Sequence, residues 1–156
     1  MRYATMTCLI LSFALTGCAG DFSAAQDKAR AAAVKANMRT VQIAAESYST
    51  DNGGAYPKAI DDQFKSYFPG GGSDGKTPAP DGLSNPFDNK KEWPTMGTIT
   101  DLKAAREKPV SIPAGTIQYS LLPSGDSYAI IGGAKGDQEV STDDGKPVVF
   151  SNSDLK

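Results

Sequence analysis

The sequence predicts an α+β fold, with one long helix over residues 23–50 laid against a small antiparallel sheet over residues 115–150. Three observations carry that expectation. Residues 23–50 are alanine-rich and contain neither proline nor glycine. Residues 51–114 hold most of the chain's prolines and a glycine run, and show no sustained apolar period. The last third contains two alternating apolar segments joined by a Pro-Ser-Gly-Asp turn.

In the helix, Val34, Met38, Val41, Ala45 and Tyr48 recur at intervals of four and three, which places them on one apolar stripe. Arg30, Lys35, Arg39, Gln42 and Glu46 lie mostly away from it. The first half offers only alanines and Val34, so the second half must do the packing. Asp51-Asn52-Gly53-Gly54 supplies residues that tolerate a left-handed backbone, and Pro57 prevents the helix from resuming.

Within 51–114 a short helix is expected near Asp61–Tyr67 and a further helical turn over Ala104–Lys108. The Gly70–Gly75 stretch, followed by Pro78 and Pro80, reads as a flexible loop. A phosphate-cradling reading needs a strand before it and a helix after it, and neither is expected. Asn85-Pro86-Phe87 is a turn with one aromatic anchor, and Trp93 caps the core beside Pro94. In the sheet, Ile117, Tyr119 and Leu121 alternate in one strand, and Ser127–Gly133 forms its hairpin partner. Pro147–Phe150 could add another strand.

The apolar fraction is 39% and the charged fraction 22%, ordinary for one globular domain of this length. A formal net charge of −2, with basic residues interleaved among acids, gives no footprint for nucleic acid. The chain has no histidine, so the commonest general base and the commonest transition-metal ligand are both missing. Asp61-Asp62 are adjacent and point to different sides of a helix, so they read as a solvated helix start rather than a catalytic pair. No catalytic residues are assigned, and an enzyme is not expected.

Residues 1–17 carry Arg2 and then an apolar stretch from Cys8 to Leu15, of signal-peptide length and too short to span a bilayer. Leu15-Thr16-Gly17-Cys18 resembles the bacterial lipobox. That resemblance implies cleavage before Cys18, a diacylglyceryl thioether on its sulfur and an acylated amine, with residues 18–22 as a lipidated tether. Two or three acyl chains anchor stably where one would be marginal. Ala19 after the cysteine, rather than an aspartate, is similar to lipoproteins sorted to the outer membrane. The implied partner is thus the membrane, and the location is the cell envelope.

Lys35–Tyr48, followed by Asp51-Asn52-Gly53 and Tyr56-Pro57, resembles the spine helix of type IV pilins and type II secretion pseudopilins. Asn85-Pro86-Phe87, Gly115–Tyr119 and Asp126–Ile130 resemble the turn and strands of the major pseudopilins. The likeness covers roughly residues 30–137 and implies a pilin headgroup over 23–156, with envelope, secretion or pilus proteins as partners. One departure stands out. Where pilins carry an apolar anchor, this chain places Asp27, Lys28 and Arg30 in an alanine-rich run. Burying such charges unpaired in a fibre core would cost several kcal/mol each.

The same resemblance implies calcium in the loop after the second strand, at Asp137, Asp143 and Asp144. Hard oxygen donors suit Ca²⁺, yet Asp143-Asp144-Gly145 also reads as a plain turn. No cofactor is required. A different reading takes the 58–114 loop as a ligand- or glycan-binding surface, with Tyr56, Tyr67, Phe68 and Trp93 lining an aromatic patch. Against it, those aromatics also read as core.

Overall fold

The computed structural model describes residues 19–72 and 75–155. The expected signal segment 1–17 and Cys18 lie outside the described residues. Helix α1 runs over Ala19–Asp51, 33 residues, at about 1.5 Å rise each. It starts four residues before the expected boundary at Ser23, so Ala19–Phe22 of the expected tether is helical. No proline interrupts it there, and extending a helix already nucleated costs little. The end falls where expected. Gly53 (φ +67°) and Gly54 (φ +91°) take left-handed backbone, and the Gly54 amide donates to the Ser49 carbonyl at 2.8 Å. That 6→1 bond satisfies a carbonyl the helix leaves open.

The other elements in chain order are α2 (Asp62–Lys65), β1 (Leu83–Ser84), β2 (Lys91–Glu92), β3 (Thr95–Met96), α3 (Leu102–Glu107), β4 (Ile117–Leu121), β5 (Tyr128–Ala134) and β6 (Gln138–Glu139), with a 3-10 turn at Asn152–Leu155. The α+β class holds, with the long helix beside a small sheet. The sheet itself is mixed: in the order β3-β4-β5-β6, β3 pairs parallel with β4 while the other pairs are antiparallel. An antiparallel sheet throughout was expected. The difference arises because residues 97–116, including α3, carry the chain across before it pairs, which parallel neighbours require. β1 and β2 form a separate two-stranded hairpin inside the stretch expected to be irregular. Pro147–Phe150 adds no named strand. It contributes isolated bridges, Ser141 with Pro147 and Ile130 with Phe150.

The central strand β5 is covered on both faces. Tyr128 and Ile130 join Ile117, Tyr119 and Phe64 against Val34, Met38, Val41 and Ala45 of α1. Ala129 and Ile131 face the other way, onto Ala105, Ile112 and Val149. The alternation is the period-two signature of a strand, here with apolar residues at both phases because neither side meets water. Gly132 sets how near the helix comes. A Cβ built there would lie 2.5 Å from Val34 Cγ1 and 2.9 Å from Met38 Sδ, so only glycine admits this approach.

Candidate functional site

Polar side chains gather at three places among the described residues: the N-terminal part of α1, the loop after β5, and a network joining α1 to α3 and the C-terminal turn. Along α1, Phe22 is 73% exposed and Ser23–Gln26 are all exposed, whereas Val34 is fully buried. From Phe22 the helix thus lies in solvent, and it enters the body about three turns later, at Val34. Two contacts brace it at the boundary. Lys135 Nζ pairs with Asp27 at 2.7 Å, and the Arg30 guanidinium lies 5.5 Å over the Phe87 ring. Asp27 and Arg30 are thus used where the helix meets the body. No helix among the described residues is long and apolar enough to cross a membrane.

The proposed calcium trio does not assemble. Among the described residues, no three acidic, cysteine or histidine side chains converge as metal ligands. Asp137 takes a left-handed backbone (φ +56°), and its Oδ1 accepts from the Ala114 amide at 3.1 Å. Its carbonyl accepts from the Ile112 amide at 3.1 Å and the Ser111 hydroxyl at 3.2 Å. These bonds pin the β5–β6 turn to the segment before β4. Asp143 and Asp144 stand in the turn that the sequence also allowed. Thr142 Oγ1 donates to Asp144 at 2.5 Å, Lys146 pairs with it at 3.7 Å, and the Gly145 amide closes on the Thr142 carbonyl at 3.0 Å. The Thr142 hydrogen bond, foremost, holds the Asp144 carboxyl below its ordinary range. Next to this loop, Glu139 is 4% exposed. Its Oε2 accepts from the Val110 amide at 3.0 Å, its Oε1 has no partner among the described residues, and burial raises its pKa.

The aromatics of the 58–114 region serve the core. Phe68 is buried and meets Trp93 edge-on at 5.4 Å, while Tyr48 packs on both Phe64 and Tyr67. Trp93 is half-buried, with Lys65 Nζ 5.4 Å over its ring. Asp61 caps α2 by accepting from the Phe64 amide at 2.8 Å, and Asp62 pairs with Lys65 at 3.3 Å, so this acidic pair starts a helix. Asn85 carries more than a turn. It is buried, its Oδ1 accepts from the Phe87 amide at 2.9 Å, and its Nδ2 donates to the Ala114 carbonyl at 3.0 Å.

Gly70, Gly75, Lys76 and Thr77 fit the letter pattern of a phosphate-binding loop. Its structural context is absent, since α2 precedes the run and the next element is the two-residue β1 rather than a helix. Ser-x-x-Lys spacing occurs at Ser73–Lys76 and Ser153–Lys156, and Ser73 and Lys156 lie outside the described residues.

Sequence reasoning also missed the polar network on α1. Glu46 accepts from the Tyr128 phenol at 2.5 Å and from the Tyr56 phenol at 3.2 Å. Burial first, then Glu46, pushes the pKa of both tyrosines upward. Gln42 is 1% exposed, and its Nε2 donates to the Ser151 carbonyl at 2.7 Å. On its other side, Gln42 Oε1 accepts from Arg39 at 2.5 Å. Arg106 of α3 donates to Asp154 at 2.7 Å and to the Ser151 hydroxyl at 3.3 Å, and Asp154 accepts from the Ser151 amide at 2.7 Å. Two arginines from different helices thus meet around one C-terminal turn.

No protein-family model matches the chain, and neither a curated protein nor a solved structure matches it.

Proposed function

We propose that the chain is a lipid-anchored component of the bacterial cell envelope, displaying a pilin-like headgroup that binds secretion, pilus or surface proteins. The observation that carries this reading is the polarity of α1 next to a lipobox-like cysteine. From Phe22 to Ala33 the helix is largely exposed and carries charge, with Asp27 and Arg30 committed to the body's edge. Such a segment is unsuited to a bilayer or to the dry core of a fibre. An acylated Cys18 would supply the anchorage the helix lacks. The buried half of α1, laid across a small sheet, is the arrangement a pilin headgroup would need.

The same polarity argues for attachment without polymerisation. A helix exposed over residues 22–33 can hold a headgroup away from a membrane, where partners reach it. Fractionation tests this directly. The intact chain should partition into detergent and sediment with membranes, whereas Cys18→Ser should be released. Cross-linking in the envelope should then recover secretion, pilus or surface-layer components with the wild type. Membrane retention of Cys18→Ser, or cross-linking only to copies of itself in filaments, would count against the proposal.

A further inference from the structure

The cleft between α1, α3 and the C-terminal segment has the makings of a binding site, independent of the envelope role. Its volume is about 400 Å³, within the usual range for small-molecule sites. Pro147, Val148, Val149 and Phe150 contribute apolar lining, and Arg39, Arg106 and Lys146 stand around them. Asp154 is the sole carboxylate in the lining; it pairs with Arg106, and Lys146 pairs with Asp144 just outside, which leaves Arg39 as the lining cation without an ion pair among the described residues. Both Asp154 oxygens are already engaged, one by Arg106 and the other by the Ser151 amide.

The two guanidiniums are held in place before any ligand arrives. Arg39 rests on Gln42, whose far side is anchored at 2.7 Å to the Ser151 carbonyl. Arg106 is fixed on the same turn through Asp154 and the Ser151 hydroxyl. Arg39 forms no ion pair among the described residues, and its one side-chain acceptor there is a neutral amide. A planar fork of five donors retains capacity for a carboxylate or phosphate in that state. Pre-positioned arginines also lose less side-chain freedom on binding.

We propose that this cleft binds a small organic anion, a carboxylate or phosphate carried on a short apolar body. Arg39 and Arg106 take the anionic head, Lys146 adds charge at the rim, and the apolar body lies on Pro147–Phe150. Gln42 acts as a positioning residue, because it sets the direction of Arg39.

Phenyl phosphate is a suitable probe, with inorganic phosphate and phenol supplying its two halves separately. The full chain in non-ionic detergent at low salt is titrated while the arginine Nε–Hε resonances are followed by NMR. Phenyl phosphate should move the Arg39 and Arg106 signals saturably, inorganic phosphate should bind at least threefold more weakly, and phenol should move neither signal. Arg39→Gln should weaken phenyl phosphate binding at least tenfold and Lys146→Gln about threefold. Both side chains are exposed, so these variants should keep the wild-type melting profile. Non-saturable shifts, equal affinity for inorganic and phenyl phosphate, or wild-type affinity in both variants would overturn the assignment.

Discussion

The Tyr128 phenol donates a 2.5 Å hydrogen bond to Glu46 Oε1, joining the first residue of β5 to the buried half of α1 across 82 residues of sequence. The same carboxylate takes a second bond from Tyr56, whose ring meets Tyr128 edge-on at 4.9 Å. Removing the acceptor would strand the phenol of a fully buried Tyr128, and such a loss costs about 1–3 kcal/mol. Glu46→Ala should therefore lower unfolding free energy by about 2 kcal/mol in urea, with the slope unchanged. In a double-mutant cycle with Tyr128→Phe, the two losses should be markedly less than additive. Simple additivity would show that the bond contributes nothing.

Those tyrosines also set an alkaline limit. Both Tyr128 and Tyr56 have pKa values raised above the ordinary 10.0, so the folded state favours the protonated phenol. Their contribution is intact below about pH 10 and is lost as pH climbs toward the folded-state values. Stability should be level from pH 8 to 9.5 and fall above 10, less steeply in Tyr128→Phe. An equal slope in the variant would remove Tyr128 from the explanation.

Glu139 gives the opposite exercise at acid pH. Burial favours its neutral form, so relative to an ordinary carboxyl it costs stability at neutral pH, and the cost fades once it protonates. Glutamine keeps an acceptor for the Val110 amide and carries no charge. Glu139→Gln should raise stability by about 1 kcal/mol at pH 7 and by almost nothing near pH 4. Paired thermal melts at the two pH values check this; a gain of the same size at both would refute the electrostatic cause.

Gly132 should tolerate no side chain. Alanine would place its methyl against Val34 and Met38, and overpacking of this kind costs about 1–3 kcal/mol. Gly132→Ala should be destabilised in chemical denaturation, and adding Val34→Ala should recover part of the loss. An unperturbed single variant would mean that α1 and β5 separate freely.

Calcium should leave the loop after β5 unchanged. Asp137 is bound to the Ala114 amide and Asp144 to Thr142, so neither waits on a cation. Limited proteolysis over 133–147 should run at the same rate with calcium and with chelator. Calcium-dependent protection would restore Asp137, Asp143 and Asp144 as ligands.

The sequence revealed local periodicity well and tertiary use of polar residues poorly. Val34, Met38, Val41 and Ala45 announced their face because helical geometry alone puts them together. Ile117 and Tyr119 did the same for β4. Gln42 sits one residue beyond that stripe and was expected in solvent. It is buried because Ser151, 109 residues away, offers a carbonyl, and no local pattern encodes such a partner. β3 escaped notice for a related reason. Two residues have no period, and their pairing depends on where the chain returns after α3. Glu46 looked like one more surface charge until Tyr56 and Tyr128 were brought onto it. Asp137, expected as a calcium ligand, instead accepts from the Ala114 amide, a partner that the local sequence does not announce.

Mass spectrometry of the N-terminus, on protein extracted from bacterial membranes, bears most directly on the envelope role. The expected species begins at Cys18, with a diacylglyceryl group on sulfur and a fatty acyl group on the amine. A chain whose Cys18 carries no lipid, recovered from filaments held together through residues 19–33, would contradict it.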